Sequence, residues 1–311
     1  MSSYSYIKHS LLWTMRIPSL IWALTESDWA TFVIPCTMFG LLGAPSLASG
    51  PAPSLASGPA PASTQVLGRL PSVLVFNWSN LLSSNMANQR SPESVAEDRV
   101  NKPHRPLVTG LIGSSEGLRR AMFVSVPLTL GLSHWLGAGQ QAMAIHVLVW
   151  LYNDLKGMDD FIVREVLLAV SYAVFNAGSL QLAAGSQARI SRTGMAWLVV
   201  VSGIILTTMQ VQDLKDQEGD RLRERRTLPL VLGEKLSRGS IAVSVCLWSI
   251  VCGRFWALST RGIVVLLLIA GFVAWRVLTR RRSRDEDRRS WQLWCGWLMC
   301  VYTLPFIGPY M

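Results

Sequence analysis

Three aspartates in one short segment have the type and spacing of a metal-binding stripe. The segment DLKDQEGDRLRERRTLPL occupies 213–230 and follows a long apolar run. On an α-helix, Asp213, Asp216 and Asp220 would lie within an arc of about 60 degrees. Like charges this close repel one another unless they share a cation, and Mg²⁺ binds one or two carboxylates together with phosphate oxygens. With Arg221 and three further arginines behind it, the segment predicts a Mg²⁺-bridged diphosphate site rather than a solvated loop helix.

A second polar group lies in and after an earlier apolar run. Asn77, Asn85 and Asn88 would fall within about 80 degrees of one another on a helix, which is unusual for a membrane span. The loop that follows carries charged residues, namely Glu97, Asp98, Lys102 and Arg105. Polar contact between helices is the alternative interpretation for any single asparagine, and the whole set favours a binding site.

A third place is YNDLKGMDD at 152–160, where Tyr152 and Lys156 are four residues apart. On a helix this spacing predicts a shared face. A lysine that extends from a membrane helix to the interface would explain such a pair by itself. The occurrence of this pair together with the other two polar places favours a role in the same site.

The elements that hold these residues are predicted to be membrane helices. The chain has 311 residues, of which 50% are hydrophobic and 15% charged, a composition too apolar for an ordinary soluble domain. Apolar runs of membrane-spanning length fall near 30–48, 71–87, 121–138, 141–156, 163–186, 195–212, 240–258, 262–279 and 290–308. We therefore expect an all-α integral membrane bundle of about nine transmembrane helices.

The positive charge is distributed unequally between the two ends of these predicted spans. Of the 29 lysines and arginines, 24 would emerge on one side and five on the other. This bias predicts that the N-terminus, the three polar places and the mouth of the site face the cytoplasm. Nucleic-acid binding is excluded, since no soluble basic face remains to carry it.

The domain organisation is predicted to be simple. Residues 1–28 are expected to form an interfacial segment and 29–311 a single transmembrane domain. Within that domain, the Pro/Ala/Ser/Gly repeat at 44–64 is expected to be a linker. The mixed charge run at 280–289 is interpreted as a cytoplasmic loop that touches anionic lipid. The five cysteines are widely spaced, which favours apolar packing over a metal site.

Together, the three places resemble the motifs of the UbiA superfamily of intramembrane prenyltransferases, over about 70–240. That family has an Asp-rich motif after its second helix, a YxxxK motif after its fourth and another Asp-rich motif after its sixth. The piece DRVNKPHRPLVTG at 98–110 is especially similar. The first motif is more spread out than usual, and an aspartate is more common at the position of Asn85. This pattern is similar to a fungal-looking branch that includes membrane sesquiterpene cyclases.

The resemblance implies a role for each matching residue and a bound Mg²⁺. The implied catalytic and metal-positioning residues are Asp98, Asp213, Asp216 and Asp220, with Asn85 and Asn88 as further metal ligands. The residues implied to bind the diphosphate are Lys102, Arg105, Tyr152, Lys156 and Arg221. The site would stabilise the leaving diphosphate while an apolar pocket shields the allylic carbocation from water.

The resemblance implies one of two enzymatic activities, and a transport activity is an alternative of a different class. The first hypothesis is transfer of a prenyl group to a small aromatic acceptor in terpenoid or meroterpenoid secondary metabolism, in an internal membrane such as the endoplasmic reticulum. The alternative is a membrane terpene cyclase acting on farnesyl diphosphate. A transporter with intramembrane carboxylates is the remote alternative, and no matching pair of interrupted spans favours it.

Overall fold

The computed structural model describes residues 17–49, 63–185, 187–279 and 283–307. The helices in chain order are α1 (Ile17–Leu47), α2 (Ser63–Gly68), α3 (Leu70–Gln89), α4 (Pro92–Asn101), α5 (Ser115–Leu136), α6 (Gly139–Asn153), α7 (Phe161–Ala184), α8 (Arg192–Thr208), α9 (Gln217–Leu222), α10 (Leu228–Val231), α11 (Glu234–Phe255), α12 (Thr260–Thr279) and α13 (Arg284–Ile307). Two short strands, β1 (Ala48–Ser49) and β2 (Arg189–Ile190), form an antiparallel pair.

The molecule is a helical bundle, as predicted. In the described ranges, nine helices have 15 residues or more, and five are long and apolar enough to cross a membrane. These five are α1, α7, α8 with its 3₁₀ continuation, α11 and α12. One large apolar core joins α1, α3, α7, α8, α11, α12 and α13. The expected count of nine spans remains a prediction.

The first helix begins earlier than the sequence predicted. It runs without interruption from Ile17 to Leu47, through the boundary expected at residue 28. A π-turn at Trp29–Val33 widens the helix immediately after Asp28. Such turns insert an extra residue per turn and are frequent at functional sites. Residues 1–16 of the expected interfacial segment lie outside the described ranges.

The expected linker at 44–64 is partly helix and strand. Its first residues complete α1 and β1, where Ala48 pairs with Ile190 and Ser49 pairs with Arg189. The Ser46 hydroxyl also donates to the Pro305 carbonyl, 2.9 Å away, which fixes the end of α1 against α13. Residues 50–62, which hold most of the repeat, lie outside the described ranges.

Small and polar residues allow α1, α3 and α7 to approach closely. A Cβ built on Gly40 would lie 2.5 Å from the Ser179 carbonyl oxygen, so only glycine fits at this crossing. The Asn77 amide donates to Thr37 Oγ1 and Ser179 Oγ, and all three residues are buried. Asn77 thus joins three helices, and it contributes nothing to the cavity described below.

Two local predictions of helix geometry are wrong. After α8, the chain tightens into a 3₁₀ segment at Met209–Leu214, turns at Lys215 and begins α9 at Gln217. The three aspartates therefore do not form a stripe on one α-helix. Likewise, α6 ends at Asn153 and Lys156 adopts a left-handed conformation with φ 56°, so Tyr152 and Lys156 do not share a helix face.

Candidate active site

A cavity of about 220 Å³ opens between the polar segments of the sequence. Its polar wall includes residues from six helices and the loops after them: Asp28, Asn85, Asn88, Glu97, Lys102, Arg105, Tyr152, Asn153, Arg164, Gln212, Asp213, Asp216, Asp220 and Arg225. Its apolar wall includes Phe32, Leu81, Ile145, Leu148, Val149, Leu168, Tyr172, Phe175, Met209 and Trp294. The structure thus brings most of the predicted site residues to one place.

Asp213 is held in a buried ion pair at the end of the 3₁₀ segment. Its two carboxylate oxygens accept from Arg164 Nη1 and Nη2, both at 2.7 Å. Arg164 lies in the first turn of α7, which Asp160 caps by accepting from two backbone N–H groups. Arg164 also donates to Glu165 at 2.6 Å. The pair orients Asp213 and joins the 3₁₀ segment to α7.

Asp216 and Asp220 differ in their surroundings. Asp216 forms an ion pair with Lys215, and although burial opposes ionisation, Lys215 and Lys102 hold the pKa of Asp216 below its ordinary value. Burial and the nearby Asp213 carboxylate raise the pKa of Asp220 to about 7. Asp220 Oδ1 accepts from Arg225 at 3.1 Å, whereas Oδ2 is buried and has no hydrogen-bond partner.

The loop after α3 is built around one buried arginine. Helix α4 begins at a Ser91 cap that accepts from the Ser94 N–H. Arg105 Nη1 donates to both carboxylate oxygens of Asp98, each at 2.8 Å, and to Asn88 Oδ1 at 3.3 Å. Arg105 lines the cavity and Asp98 does not. Asp98, expected from the resemblance to bind metal, is instead engaged by Arg105 in this structure.

Lys102 forms no ion pair with the described residues of the chain. In the part of the chain that the structure describes, no carboxylate lies within 4.0 Å of its ammonium group. Burial and the neighbouring Arg105 lower the pKa of Lys102. Arg105 Nε is also buried without a hydrogen-bond acceptor. Donors left open in this way are suited to an anionic ligand.

Asn85 and Asn88 of α3 line the cavity, whereas Asn77 does not, and Asp28, which the sequence did not suggest, lies beside them. Asn85 Nδ2 donates to Asp28 Oδ2 and to the Leu24 carbonyl, both at 2.9 Å. Asn88 Nδ2 donates to Asn153 Oδ1 at 3.4 Å. The end of α3 therefore contacts both α1 and α6 at the cavity.

Two of the residues expected to bind diphosphate lie away from the cavity wall. Lys156 is exposed beyond the end of α6, and Arg221 is exposed on α9, where it donates to Gln217. Tyr152 does line the cavity. Of the arginines that follow Asp220, Arg225 faces the cavity, because the chain turns back after α9 and brings it beside Glu97, 2.8 Å away.

The apolar wall carries a group of aromatic rings. The Phe32 ring centroid is 4.7 Å from that of Tyr172 and 4.6 Å from that of Phe175, both edge to face. Trp294 also lines the cavity and donates its indole N–H to Thr208 at 3.0 Å. Beside it, Lys215 lies 5.0 Å from the Trp291 ring centroid. Aromatic faces of this kind can stabilise a positively charged ligand or intermediate.

The residues present fit a Mg²⁺ ion bound together with a diphosphate. Within the described ranges, no group of three Asp, Glu, His or Cys side chains is arranged to hold a metal on its own. Mg²⁺ commonly uses one or two carboxylates and completes its shell with phosphate oxygens and water. The partnerless Asp220 Oδ2 and the repulsion between Asp213 and Asp220 are the features that such a cation would relieve.

Some cavity residues were missed from the sequence, and one signal could have found two of them. Asp28 and Arg164 both stand within or at the edge of apolar runs, where ionisable residues usually mark a site. Asp28 falls in the segment expected to be interfacial, and none of the three motifs includes Arg164. Trp291 and Trp294 carry no local signal, because their position depends on how α13 packs against the 3₁₀ segment.

The chain resembles known proteins over most of its length. Residues 52–297 match the model of the UbiA prenyltransferase family. Somaliensene A/B synthase of Streptomyces somaliensis is 29% identical over 91% of this chain and 89% of its own. Fumagillin beta-trans-bergamotene synthase of Aspergillus fumigatus is 25% identical over 74% of this chain and 78% of its own. Polyprenyl transferase eriF of Hericium erinaceus is 25% identical over 86% of this chain and 88% of its own.

The fold also matches a solved structure. A UbiA homolog from Archaeoglobus fulgidus, bound to GPP and Mg²⁺, superposes with a TM-score of 0.61. The match covers 92% of this chain and 99% of the archaeal chain, at 12% sequence identity. At this identity the likeness concerns the arrangement of helices alone.

Proposed function

The chain belongs to the UbiA prenyltransferase family of integral membrane proteins, and we propose that it ionises a prenyl diphosphate with Mg²⁺ and cyclises the product cation. The observation that carries this proposal is the arrangement of the cavity. Open cationic donors and clustered carboxylates line its mouth, and aromatic rings line its apolar wall. A diphosphate requires the charged surface at the mouth, and a prenyl chain requires the apolar, aromatic wall.

The diphosphate end is assigned to the charged wall. Lys102 and the open Nε of Arg105 bind phosphate oxygens, and Asp98 orients Arg105 through its two hydrogen bonds. Asp216 and Asp220 are assigned to hold Mg²⁺, with Asn85 and Asn88 as neutral oxygen ligands and Asp213 as a further carboxylate. Bound Mg²⁺ would neutralise the charge that develops on the leaving diphosphate.

The prenyl end is assigned to the apolar wall. When the allylic C–O bond breaks, the electron pair leaves with the diphosphate and the carbon chain keeps the positive charge. The faces of Phe32, Tyr172, Phe175 and Trp294 can stabilise that charge. The same side chains exclude water, which would otherwise capture the cation as an alcohol.

Two fates of the carbocation remain to be compared. Attack by a double bond of the same chain is favoured by high effective molarity and needs no second substrate. The cyclic cation then loses a proton to the released diphosphate and becomes a neutral hydrocarbon. The names of two relatives that the chain matches over 91% and 74% of its length support this fate. Transfer to a small aromatic acceptor, which the sequence favoured, is supported by the relative named a polyprenyl transferase. We therefore propose cyclisation as the leading function and transfer to an acceptor as the second candidate.

The orientation in the membrane is proposed from charge. Lys102, Arg105, Arg225 and the other basic residues of the cavity mouth belong to the side that carries 24 of the 29 lysines and arginines. By the positive-inside rule, this side faces the cytoplasm. We propose nine spans, formed by the nine long helices, in an internal membrane.

The experiment supplies membranes that contain the protein with farnesyl diphosphate or geranylgeranyl diphosphate and Mg²⁺ alone. Volatile products are then analysed by gas chromatography with mass detection. We expect a cyclic hydrocarbon that is absent from the Asp216→Ala variant. A second arm adds a phenolic acceptor and measures prenylated phenol by liquid chromatography.

The outcomes separate the candidate functions. Formation of prenylated phenol without any cyclic hydrocarbon would contradict the cyclase proposal and support the transferase proposal. Release of no diphosphate from either substrate, by protein that is correctly inserted, would refute both enzymatic proposals.

A further inference from the structure

Asp28 is a cavity carboxylate that lies outside all three sequence motifs. It is in the middle of α1, a helix that is apolar enough to cross a membrane. It immediately precedes the π-turn at Trp29–Val33. Because an ionisable side chain inside an apolar helix is costly, its presence at a cavity wall indicates a function.

The neighbouring contacts hold Asp28 against α3 and the charged loop. The Leu24 carbonyl, one turn earlier on α1, accepts from the side-chain amides of Asn85 and Gln89. Ser27 is hydrogen-bonded to His104 at 3.0 Å, between the two cations of the loop. Asp28 is therefore positioned by contacts on both sides, with the Asn85 amide 2.9 Å from its Oδ2.

Asp28 also differs from the other cavity carboxylates in its partners. Glu97, Asp213, Asp216 and Asp220 each form an ion pair with a lysine or arginine. Over the described ranges, Asp28 has no such pair within 4.0 Å, and its side-chain partner is the neutral Asn85. Lys102, Arg105 and Lys215 lie close enough to interact with it electrostatically. An anion among these cations that forms no ion pair with the described residues is available to a bound metal ion.

We propose that Asp28 supplies the carboxylate ligand for the Mg²⁺–diphosphate complex on the α3 side of the cavity, where the chain has Asn85. The Asn85 amide holds this α1 carboxylate in place through the hydrogen bond to Asp28 Oδ2. This inference rests on the proposed function only in requiring that the chain binds a divalent cation together with a diphosphate.

The test uses Mn²⁺ as the probe cation and inorganic pyrophosphate as the probe anion. Bound and free Mn²⁺ are distinguished by electron paramagnetic resonance on the purified full chain in detergent. Loss of a carboxylate ligand in Asp28→Asn should weaken Mn²⁺ binding on the order of 10- to 100-fold. The swap Asp28→Asn with Asn85→Asp keeps one carboxylate and one amide at the pair, and it should restore binding to within about threefold.

A thiolate variant separates direct ligation from a general electrostatic effect. A thiolate ligand favours Cd²⁺ over Mn²⁺, so Asp28→Cys should raise the ratio of Cd²⁺ to Mn²⁺ affinity at least about 10-fold over wild type. A distant change of charge would weaken both cations alike. Each variant is checked by size-exclusion chromatography, and the swap, which keeps the hydrogen bond, serves if Asp28→Asn alone does not fold.

The results distinguish this inference from the proposed function. If wild-type protein binds no Mn²⁺ with pyrophosphate, the proposed function fails. If wild type binds Mn²⁺ and the Asp28→Asn variant binds it equally well, or if neither the swap nor the cysteine variant behaves as stated, the assignment of Asp28 is wrong.

Discussion

Lys102 and Arg164 illustrate two roles for cations in the same cavity. Arg164 is engaged by Asp213 and Glu165 at distances below 2.8 Å, so it fixes the structure of the wall. Burial and the neighbouring Arg105 lower the pKa of Lys102, against the opposite effect of the Asp28 and Asp216 carboxylates, neither of which forms an ion pair with it in the described ranges. An anionic ligand would stabilise the charged form of Lys102, so Lys102 is expected to bind substrate. Arg164, which is already paired, is expected to stabilise the fold.

The first prediction concerns Lys102→Gln. A hydrogen bond to a charged group contributes about 1.5–3 kcal/mol, so we expect diphosphate release to slow on the order of 10- to 100-fold. Thermal stability should change little, because Lys102 forms no ion pair with the described residues. Initial rates from farnesyl diphosphate measure the effect, with Lys235→Gln, an exposed residue at the start of α11, as the control. Equal rates for the two variants would contradict the role of Lys102.

The second prediction sets Asp220→Asn against Asp213→Asn in metal-free buffer at pH 8. The pKa of Asp220 is raised from 3.8 to about 7, so its charged form destabilises the fold above that pH, and a neutral amide should raise the melting temperature. Asp213→Asn removes one partner of the buried Arg164. This loss should destabilise the fold by about 3–5 kcal/mol and lower the melting temperature. Both variants should lose activity. Melting shifts of the same sign in both variants would refute the distinction.

At the scale of elements, the mouth depends on contact between α4 and α9. Asn101, the last residue of α4, donates its amide to the Asp216 carbonyl at 3.0 Å. Gly219 on α9 lies directly beneath that amide. Arg284, at the start of α13, donates to the carbonyls of Val100 and Asn101. These bonds connect the loop that carries Lys102 to the segment that carries the aspartates.

The third prediction is that Gly219→Ala impairs the site without preventing assembly. A Cβ at this position would lie 2.3 Å from Asn101 Nδ2, so the amide must move and its bond to Asp216 is lost. We expect roughly a 10-fold loss of diphosphate release, corresponding to about 1.4 kcal/mol. Gly239→Ala is the control, because its Cβ would meet nothing within 4 Å. An activity of Gly219→Ala equal to that of the control would show that the contact is unimportant.

The sequence predicted helices better than the turns between them. Apolar runs predicted the long helices because length and composition identify membrane spans directly. The 3₁₀ segment at Met209–Leu214 was missed, since Asp213, Asp216 and Asp220 have helical spacing and only tertiary contacts, such as the Arg164 ion pair, select the tighter turn. Asp28 was missed because its partners are 57 residues or more away in sequence.

At the scale of the whole molecule, the cavity lies between elements that are distant in sequence. Asp28, Asn85 and Lys102 come from the first third of the chain, and Asp216, Asp220 and Trp294 from the last third. The direct links between these groups at the mouth include the Asn101 bond to Asp216 and the ion pair between Arg225 and Glu97. A ligand that contacts both groups would therefore connect the two parts of the bundle.

The last prediction is that Mg²⁺ and pyrophosphate together stabilise the folded protein, and each alone does so much less. The cavity wall carries the carboxylates of Asp216 and Asp220 as well as the open cations, and these carboxylates would repel a diphosphate that arrives without the metal ion. A ligand at about 100 times its dissociation constant adds about 2.7 kcal/mol to stability, which should raise the melting temperature by several degrees. Scanning fluorimetry in detergent, with Ca²⁺ in place of Mg²⁺ as a matched control, measures it. Because the shift requires carboxylates that bind the metal, it should disappear in Asp216→Ala and persist in Gly239→Ala. A shift produced equally by pyrophosphate alone would show that the cations of the mouth bind the anion without metal, and the metal assignment of the aspartates would then be wrong.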